Sequence, residues 1–470
     1  RFNLKNSFYI NTQLSQLISS AQAYHYRIIP VEAAADCLYF KSDQVSDALT
    51  QELKIILNKE VKLLQDSTYN IQQYLSVNFR PASKQHKDLQ YSADFLEKLL
   101  LTAKDIGSSD IHFEPYEFSC RVRYRLDGKL KEQFIISLED YPVIVNKLKI
   151  KANLDISEKR LPQDGRISVK ARAEDFDIRL STLPTLHGEK IVLRILSKDA
   201  ERVHLNSLGF SKSALTDYLE TLKKPNGIVL ISGPTGSGKT TTLYATLKHL
   251  NNVQTNILTI EDPIEYTLEG INQVQLKESI GLDFASTLRT FLRQDPDVIM
   301  VGEIRDEKTA SMAIRAALTG HLVLSTIHTN SAWATISRLI DMGIPPFLIA
   351  STLNISVAQR LVRRLCTACK REIPISKAQL PKNFKIPTTL KTHFKAVGCN
   401  GCFHTGYQGR QAIYELLPLD KTLSDQIKNK ASDIDNYRNK YHIKTLKDNA
   451  LALVSDGTTS IAEVYALLSH

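Results

Sequence analysis

The sequence predicts an α/β protein built from several domains, and three observations predict it. From residue 207 to about 360, short apolar β-rich runs alternate with helical patterns, as in a parallel sheet covered by helices. Ahead of them, residues 88 to about 200 carry strand-type alternations with few helices, as in the antiparallel sheet of an α+β domain. The length of 470 residues suits about three domains.

Residues 1–82 read as a small α/β unit. Ser46–Leu57 has helical spacing, with Val45, Leu49, Leu53 and Ile56 on one side. Val61–Leu64 is strand-like and Tyr69–Asn78 is helical again. Pro81–Lys87 is polar, holds a proline and lacks periodicity, so it reads as a linker. A helix follows near Ala93–Asp105, with Leu96, Leu99 and Leu100 apolar. In Cys120–Leu126, Val122, Tyr124 and Leu126 alternate with Arg121, Arg123 and Arg125, and Asp127-Gly128 is a turn signal. Asp177–Thr182 and Lys190–Leu196 alternate in the same way. The polar segment Ser197–Asn206 leads into the unit at 207–362. There the expected strands are Ile228–Ser232, Asn256–Ile260, Val298–Gly302 and His321–Thr326, separated by helices such as Thr240–Leu250 and Lys308–Thr319. A cysteine-bearing element occupies 363–412, and the tail 413–470 reads as mostly helical, as in Ile461–Leu468.

Apolar residues make up 43% and charged residues 23%, ordinary for a globular protein. No run approaches the roughly 18 apolar residues of a membrane-spanning helix. Nothing near the start has the order of a secretory signal, so a cytoplasmic location is expected. The chain opens on Arg1 rather than Met, so some preceding residues are expected. The formal charge of +10 suits an anionic partner such as nucleic acid, an acidic membrane face or phosphate. It equally suits a basic surface spread over several domains, since no single arm concentrates the excess.

Gly233-Pro234-Thr235-Gly236-Ser237-Gly238-Lys239-Thr240, followed by Thr241, fits the phosphate-loop pattern G-x-x-x-x-G-K-[ST]. It lies between the strand IVLIS and a helix, the context the motif needs. Glycines let successive backbone N–H groups turn inward around phosphate oxygens, and the helix N-terminus adds about half a positive charge. Lys239 supplies a full charge to the β and γ phosphates, and the Thr240 hydroxyl is placed to ligate Mg²⁺. The bland alternative is a glycine-rich turn with a chance lysine. A full match over the eight-residue pattern, at all four of its specified positions and in the right context, argues against it.

Asp297–Glu303 is a buried strand ending in a carboxylate, and Glu303 is placed for the Mg²⁺ side of a phosphate site. Thr259–Glu265 is a second acid-rich strand end. Pro263 stops that strand, so Glu261 is expected to face the phosphate pocket and to orient or deprotonate water. As ordinary turn acids these residues would simply be solvated, and the division between base and metal-shell roles is open. His321 begins a strand and His328 ends it. A lone histidine is usually structural, but one at a strand end in this sheet also suits a hydrogen bond to the γ phosphate.

Cys366-x-x-Cys369 and Cys399-x-x-Cys402 are two thiolate hooks whose combination suits a tetrahedral Zn²⁺. Such closed sites are structural, with binding free energies on the order of 10 kcal/mol that fold the local loop. The alternative is redox chemistry through one pair. A secreted disulfide framework does not suit so long a chain without a signal.

These segments resemble the assembly ATPases of type II secretion and type IV pili. The resemblance is carried by GPTGSGKTTTLY at Gly233, TIEDPIEY at Thr259, FLRQDPDVIMVGEIRD at Phe291 and TGHLVLSTIHT at Thr319. Upstream, SSDIHFEP at Ser108, EKRLPQDGRI at Glu158 and STLPTLHGEKIVLRIL at Ser181 carry it too. It is strong over residues 90–470 and weak over the first 85. It implies a homo-hexameric ring of PAS-like and RecA-like units, with ATP between the two units of a subunit, close to a neighbour. It implies phosphate-contacting arginines at Arg166, Arg179 and Arg194, which otherwise read as strand residues facing water. It implies Glu261 as the catalytic carboxylate, Glu303 as the metal-side acid, and His321 and His328 as a phosphate-sensing pair. The four-cysteine element is common in secretion and pilus-extension ATPases and generally missing from retraction ATPases. The implied partners are inner-membrane platform and docking proteins, with peripheral association at that membrane and no specific nucleic acid. A RecA-like nucleic-acid motor is the alternative, but the sequence offers no aromatic and basic stacking platform. A regulatory ring that binds ATP without turnover is the third reading, and Glu261 and Glu303 argue against it.

Overall fold

The computed structural model describes residues 10, 14, 17–18, 20–34, 37–57, 59–79, 95–170, 175–196, 203–382, 384, 387, 390–429 and 434–469. The linker expected at Pro81–Lys87 lies outside these residues, as do 93–94 of the helix that follows it and 197–202 of the polar segment. The chain divides into two compact units: Arg1–Phe95 with Phe134–Ile136, and Leu96–Gln133 with Ser137–His470. Among the described residues no helix is long and apolar enough to cross a membrane.

The first unit is a three-stranded sheet with helices. Its elements are α1 (Ser20–Tyr26), β1 (Ile28–Ala33), β2 (Cys37–Ser42), α2 (Asp47–Leu57), β3 (Glu60–Gln65) and α3 (Thr68–Asn78). β2 pairs antiparallel with β1 and parallel with β3. Ile28, Phe40, Leu53, Ile71 and Leu75 form the core. Leu53 of the expected helical stripe is buried, whereas Val45 and Ile56 are exposed. β1 escapes a period-two reading because Pro30 sits within it and the register shifts between Pro30 and Glu32.

After the first unit come α4 (Phe95–Asp105), β4 (Asp110–Pro115), β5 (Cys120–Leu126), β6 (Lys129–Ile136), α5 (Tyr141–Lys151), β7 (Gln163–Val169), β8 (Phe176–Thr185) and β9 (Gly188–Leu196), all in the second unit apart from Phe95 and Phe134–Ile136. The six strands form one sheet in the order β6-β5-β4-β9-β8-β7. On β5 the apolar positions are buried and the three arginines lie on the other face, as the alternation predicts. Tyr124 sends its hydroxyl from the apolar face to the Leu99 carbonyl on α4, 3.0 Å away.

The remaining chain builds a seven-stranded sheet. After α6 (Lys212–Leu222) come β10 (Gly227–Ser232), α7 (Lys239–Leu250), β11 (Ile257–Glu261), β12 (Asn272–Gln275), α8 (Phe284–Phe291), β13 (Val298–Val301), α9 (Glu307–Leu318), β14 (Leu322–Ile327), α10 (Ala332–Asp341), α11 (Pro346–Thr352) and β15 (Leu353–Leu365). A small antiparallel pair, β16 (Arg371–Pro374) and β17 (Thr392–Lys395), precedes β18 (Tyr407–Pro418). Helices α12 (Lys421–Lys428), α13 (Asp435–Lys440), α14 (Leu446–Ser455) and α15 (Ile461–Leu468) end the chain. The strand order is β12-β11-β13-β14-β10-β15-β18. The pairs are parallel except β15 with β18.

β10 is buried along its whole length, as a central parallel strand covered on both faces must be. Ile228 and Leu230 pack into the core of α8, α9 and α10, while Val229 and Ile231 pack against α6 and α7. Two strands depart from the sequence reading. β15 and β18 carry arginines and glutamines in their carboxyl- and amino-terminal halves respectively, which hides the period. The helical tail expected from residue 413 therefore starts at Lys421, after β18 has run to Pro418.

Leu324, fully buried at the centre of β14, tests this core. Leu324→Ala should cost about 3 kcal/mol and lower the thermal midpoint of the second unit by several degrees. Leu186→Ala, on a side chain 91% exposed, should leave the midpoint unchanged in the same scanning calorimetry.

Candidate active site

Strands of a parallel sheet point their carboxyl ends the same way, so the loops that follow them gather at one edge. Here the loops after β10, β11, β13 and β14 bring Gly233–Thr240, Glu261, Glu303 and His328 to that edge.

The loop after β10 turns through glycines at positive φ: Gly233 at 154°, Gly236 at 79° and Gly238 at 85°. A Cβ at Gly233 would stand 2.5 Å from both the Gln359 carbonyl and the Ser237 hydroxyl, so only glycine fits this approach. Pro234, Thr235, Gly236 and Thr240 are exposed, Thr241 is half-buried, and Ser237 and Lys239 are buried. Lys239 donates to the carbonyls of Gly233 at 2.8 Å and Pro234 at 3.2 Å. Burial lowers its pKa, the Arg360 charge adds to that, and Glu303 opposes both. The Ser237 hydroxyl is buried without a hydrogen-bond partner among the described residues. The loop thus carries a cradle that a Cβ would fill, a polar atom lacking a partner and a desolvated cation. These fit a bound polyphosphate.

β15 supplies residues that the sequence did not point to. Gln359 donates to the Ser237 carbonyl at 2.8 Å and accepts from the Thr242 hydroxyl at 2.9 Å. Arg360, half-buried, donates to the Gln359 carbonyl and to Asn330. The partners of Gln359 lie more than a hundred residues away and Asn330 lies 30 residues from Arg360, relations that no local pattern carries.

Glu303 accepts hydrogen bonds from Arg305 and meets Nε2 of His328 at 3.2 Å. Arg305 is a third residue that the sequence reading does not single out, although it lies two positions on. Glu261 is 3% exposed, and its carboxylate accepts from the Thr259 hydroxyl at 2.6 Å, from Gln273 at 3.1 Å and from Tyr244. It faces the interior, where the proline-stop reading expected it to face the phosphate pocket.

His321 is not brought to this edge. It precedes β14 and His328 follows it, so at about 3.3 Å per residue the two lie about 23 Å apart along the strand. The His321 ring instead meets the Ala316 carbonyl at 2.8 Å and Thr319 at 3.2 Å, at the end of α9. The pair expected from the sequence is split because a strand carries its two ends to opposite edges of its sheet.

Arg166, Arg179 and Arg194 do come together. They are direct cross-strand neighbours on β7, β8 and β9, and the row continues through Asp110 on β4 to Arg125 on β5. Arg194 donates to Asp110 at 3.0 Å, while Arg179 donates to the Ile264 carbonyl and lies 3.5 Å from the Glu265 carboxylate. A cavity of about 480 Å³ is lined by the three arginines, Asp164 and Pro263. Like charges directly opposite one another repel, so this row suits an anion.

The four cysteines converge. Sγ separations are 3.9 Å for Cys366 and Cys399, 3.8 Å for Cys369 and Cys402, and 3.7 Å for Cys399 and Cys402. Four sulfurs about 2.3 Å from a central ion form a tetrahedron with edges of about 3.8 Å, so the set fits a metal and none of its members is bridged as a disulfide. Burial pushes Cys369 up to about 12. At Cys402 burial acts in the same direction, but N–H donors from Cys399 and Gly406 overcome it and bring the thiol down to about 7.

The sequence profile of the Type II/IV secretion system protein family matches residues 85–466. The chain belongs to this family. It is similar to the Type IV pilus assembly ATPase PilB of Myxococcus xanthus, 48% identical over 78% of this chain and 66% of the relative. It is also similar to the Type II secretion system ATPase E of Vibrio cholerae, 39% identical over 98% of this chain and 95% of that one. Among solved structures, the pilus retraction motor PilT with bound ADP superposes with a TM-score of 0.54 at 25% identity. That match covers 78% of this chain and 95% of PilT. The α/β fold expected from the sequence, with its phosphate-loop core, is therefore that of the secretion-system ATPases.

In this secretion-system protein Gln359→Ala removes one side-chain bond to the phosphate loop, at Ser237, and one to α7, at Thr242. We expect ATP affinity to fall about tenfold by isothermal titration, from the loss of roughly 1.4 kcal/mol of preorganisation.

Proposed function

We propose that this chain is an ATPase that works as a homo-hexamer and couples hydrolysis to the assembly of pilin or pseudopilin fibres in type II secretion or type IV pilus biogenesis. The observation that carries it is the glycine-turned loop with buried Lys239 at the sheet edge where Glu303 also arrives. Family membership supports the same reading.

In this reading the amides of Gly233 to Thr241 and the Lys239 ammonium hold the phosphates of ATP. Lys239 exchanges its two carbonyl bonds for phosphate oxygens, which costs little because its pKa is already depressed by burial. Thr240 and Glu303 would hold Mg²⁺, which when bound draws off phosphate charge. Glu261 orients or deprotonates the attacking water, and His328 reports the γ phosphate beside Glu303. Arg166, Arg179 and Arg194 bring positive charge to the phosphates from the six-stranded sheet, a contribution of about 10³ to 10⁵ in rate for arginines of this kind. We assign His321 a structural role. The division of labour would place docking in residues 1–82, the arginines in 88–200, the ATPase core in 207–362, the metal element in 363–412 and helical support in 413–470. The cysteine set would hold Zn²⁺ as a structural ion, and its presence favours assembly over retraction. The hexamer would act on an inner-membrane platform and lie peripherally at the cytoplasmic face.

Steady-state ATP turnover tests this. Lys239→Ala and Glu303→Ala should each lower kcat by about 100-fold or more, with Glu303→Ala still binding ATP. Duplex DNA should leave turnover unchanged; strong stimulation by DNA would instead support a nucleic-acid motor.

The cysteine site is tested by metal analysis. Purified protein should carry one zinc per chain, Cys369→Ser should lose it, and chelation should lower the thermal midpoint.

A further inference from the structure

Glu261 is engaged by three protein donors, and one of them leads back to the arginine row. Its Oε1 accepts from Thr259 and Gln273, and its Oε2 accepts from the Tyr244 hydroxyl. Tyr244 lies on α7, five residues after Lys239, with its ring edge-on to Tyr266 at a centroid distance of 4.6 Å. The same hydroxyl accepts from the backbone N–H of Glu265 at 3.3 Å. Ile264 and Glu265 are in turn held by Arg179. A continuous run of polar contacts therefore joins Arg179, in the cavity lined by Arg166 and Arg194, to the Glu261 carboxylate.

A carboxylate whose oxygens are taken up by protein donors has fewer lone pairs left for water. A buried one facing inward also offers no lone pair to a water in the pocket. Either role open to Glu261, at the water or beside the metal ion, requires it to turn outward.

We propose that Tyr244 is a positioning residue that latches Glu261 inward, and that the latch opens when a phosphate draws Arg179 off Ile264 and Glu265. This rests on the reading of Glu261 as an active-site carboxylate. The opening couples two events. Phosphate arriving at the arginine row frees the 262–266 segment, the Glu265 amide leaves the Tyr244 hydroxyl, and Glu261 is released for turnover. Hydrolysis is then limited to chains in which the six-stranded sheet has engaged the nucleotide.

The test compares ATP turnover by wild type, Tyr244→Phe, Glu265→Gln, the double variant and Glu261→Gln in the full chain. The latch predicts that Tyr244→Phe and Glu265→Gln each raise kcat about threefold or more, with KM for ATP within about twofold. The double variant should gain no more than Tyr244→Phe alone, because both act on one contact. A kcat at or below wild type in Glu265→Gln, or in a folded Tyr244→Phe, overturns the latch. If Tyr244→Phe does not fold, Glu265→Gln decides alone, since that carboxylate is more than a third exposed. Loss of turnover in Glu261→Gln without gain in the other variants overturns the latch and leaves the reading of Glu261 standing. Full turnover in Glu261→Gln overturns both.

Discussion

The grip of β15 on the phosphate loop is the interaction on which the rest of the site depends. A loop turning through three glycines at positive φ has much conformational freedom to lose. Gln359 fixes it from both sides, donating to the Ser237 carbonyl and accepting from Thr242 at the start of α7. That grip exists because β15 pairs in parallel with β10, with Ser232 opposite Ala358. A slip of one residue in this ladder would turn Gln359 to the other face of the sheet. The strand pairing and the shape of the phosphate cradle are thus one constraint, and Gly233 is the point where the two backbones come too close for any side chain.

The second constraint is electrostatic. The face of the six-stranded sheet carries arginines at neighbouring positions on β5, β7, β8 and β9, against carboxylates at Asp110 and Glu114 on β4. Glu114 shows how these are balanced. Burial works to raise its pKa, but Arg123 and Arg121 overcome it and bring the carboxyl down to about 2. Asp110 is shared by Arg194 and Arg125. Arg166 has no carboxylate across the strand, only Arg179, and Arg179 borrows Glu265 from the loop after β11. The β4 carboxylates therefore do not reach the β7–β8 end of the row, where Asp164 shares the cavity lining with the three arginines.

What the sequence revealed and what it hid follow from the range of the interactions. The phosphate loop, the acid at Glu303 and the cysteine hooks are local patterns whose chemistry is written in eight residues or fewer. The alternation of β5 and the buried run of β10 are equally local, and both strands formed where expected. Gln359 and Arg360 were invisible because their meaning lies in contacts with residues 237, 242 and 330. β15 and β18 escape the sequence reading because arginines and glutamines, where they meet the phosphate loop and the cysteine element, hide their period. Glu261 was placed on the right strand end, but its direction was set by Tyr244 and Gln273, which no reading of TIEDPIEY contains. His321 belonged to a motif with His328, yet sharing a motif across a strand does not mean sharing a site.

The cysteine element enters the same scheme through the ladder. Cys366 follows the last residue of β15, and β18 begins at Tyr407, five residues after Cys402 and opposite Leu365. A metal held by the four thiolates would therefore clamp the open end of the β15–β18 pair. Nearby, the Gly409 amide donates to Asp127 at 2.9 Å and Lys131 reaches the Phe403 carbonyl, so the turn between β5 and β6 rests on the same knuckle. From Leu365 to Gln359 is six residues, about 20 Å of strand. Over that length the ladder is held by its own hydrogen bonds and by Val362 in the core. The knuckle thus secures the seating of the six-stranded sheet more directly than it secures the phosphate loop. That sheet is the one on which Arg166, Arg179 and Arg194 stand side by side.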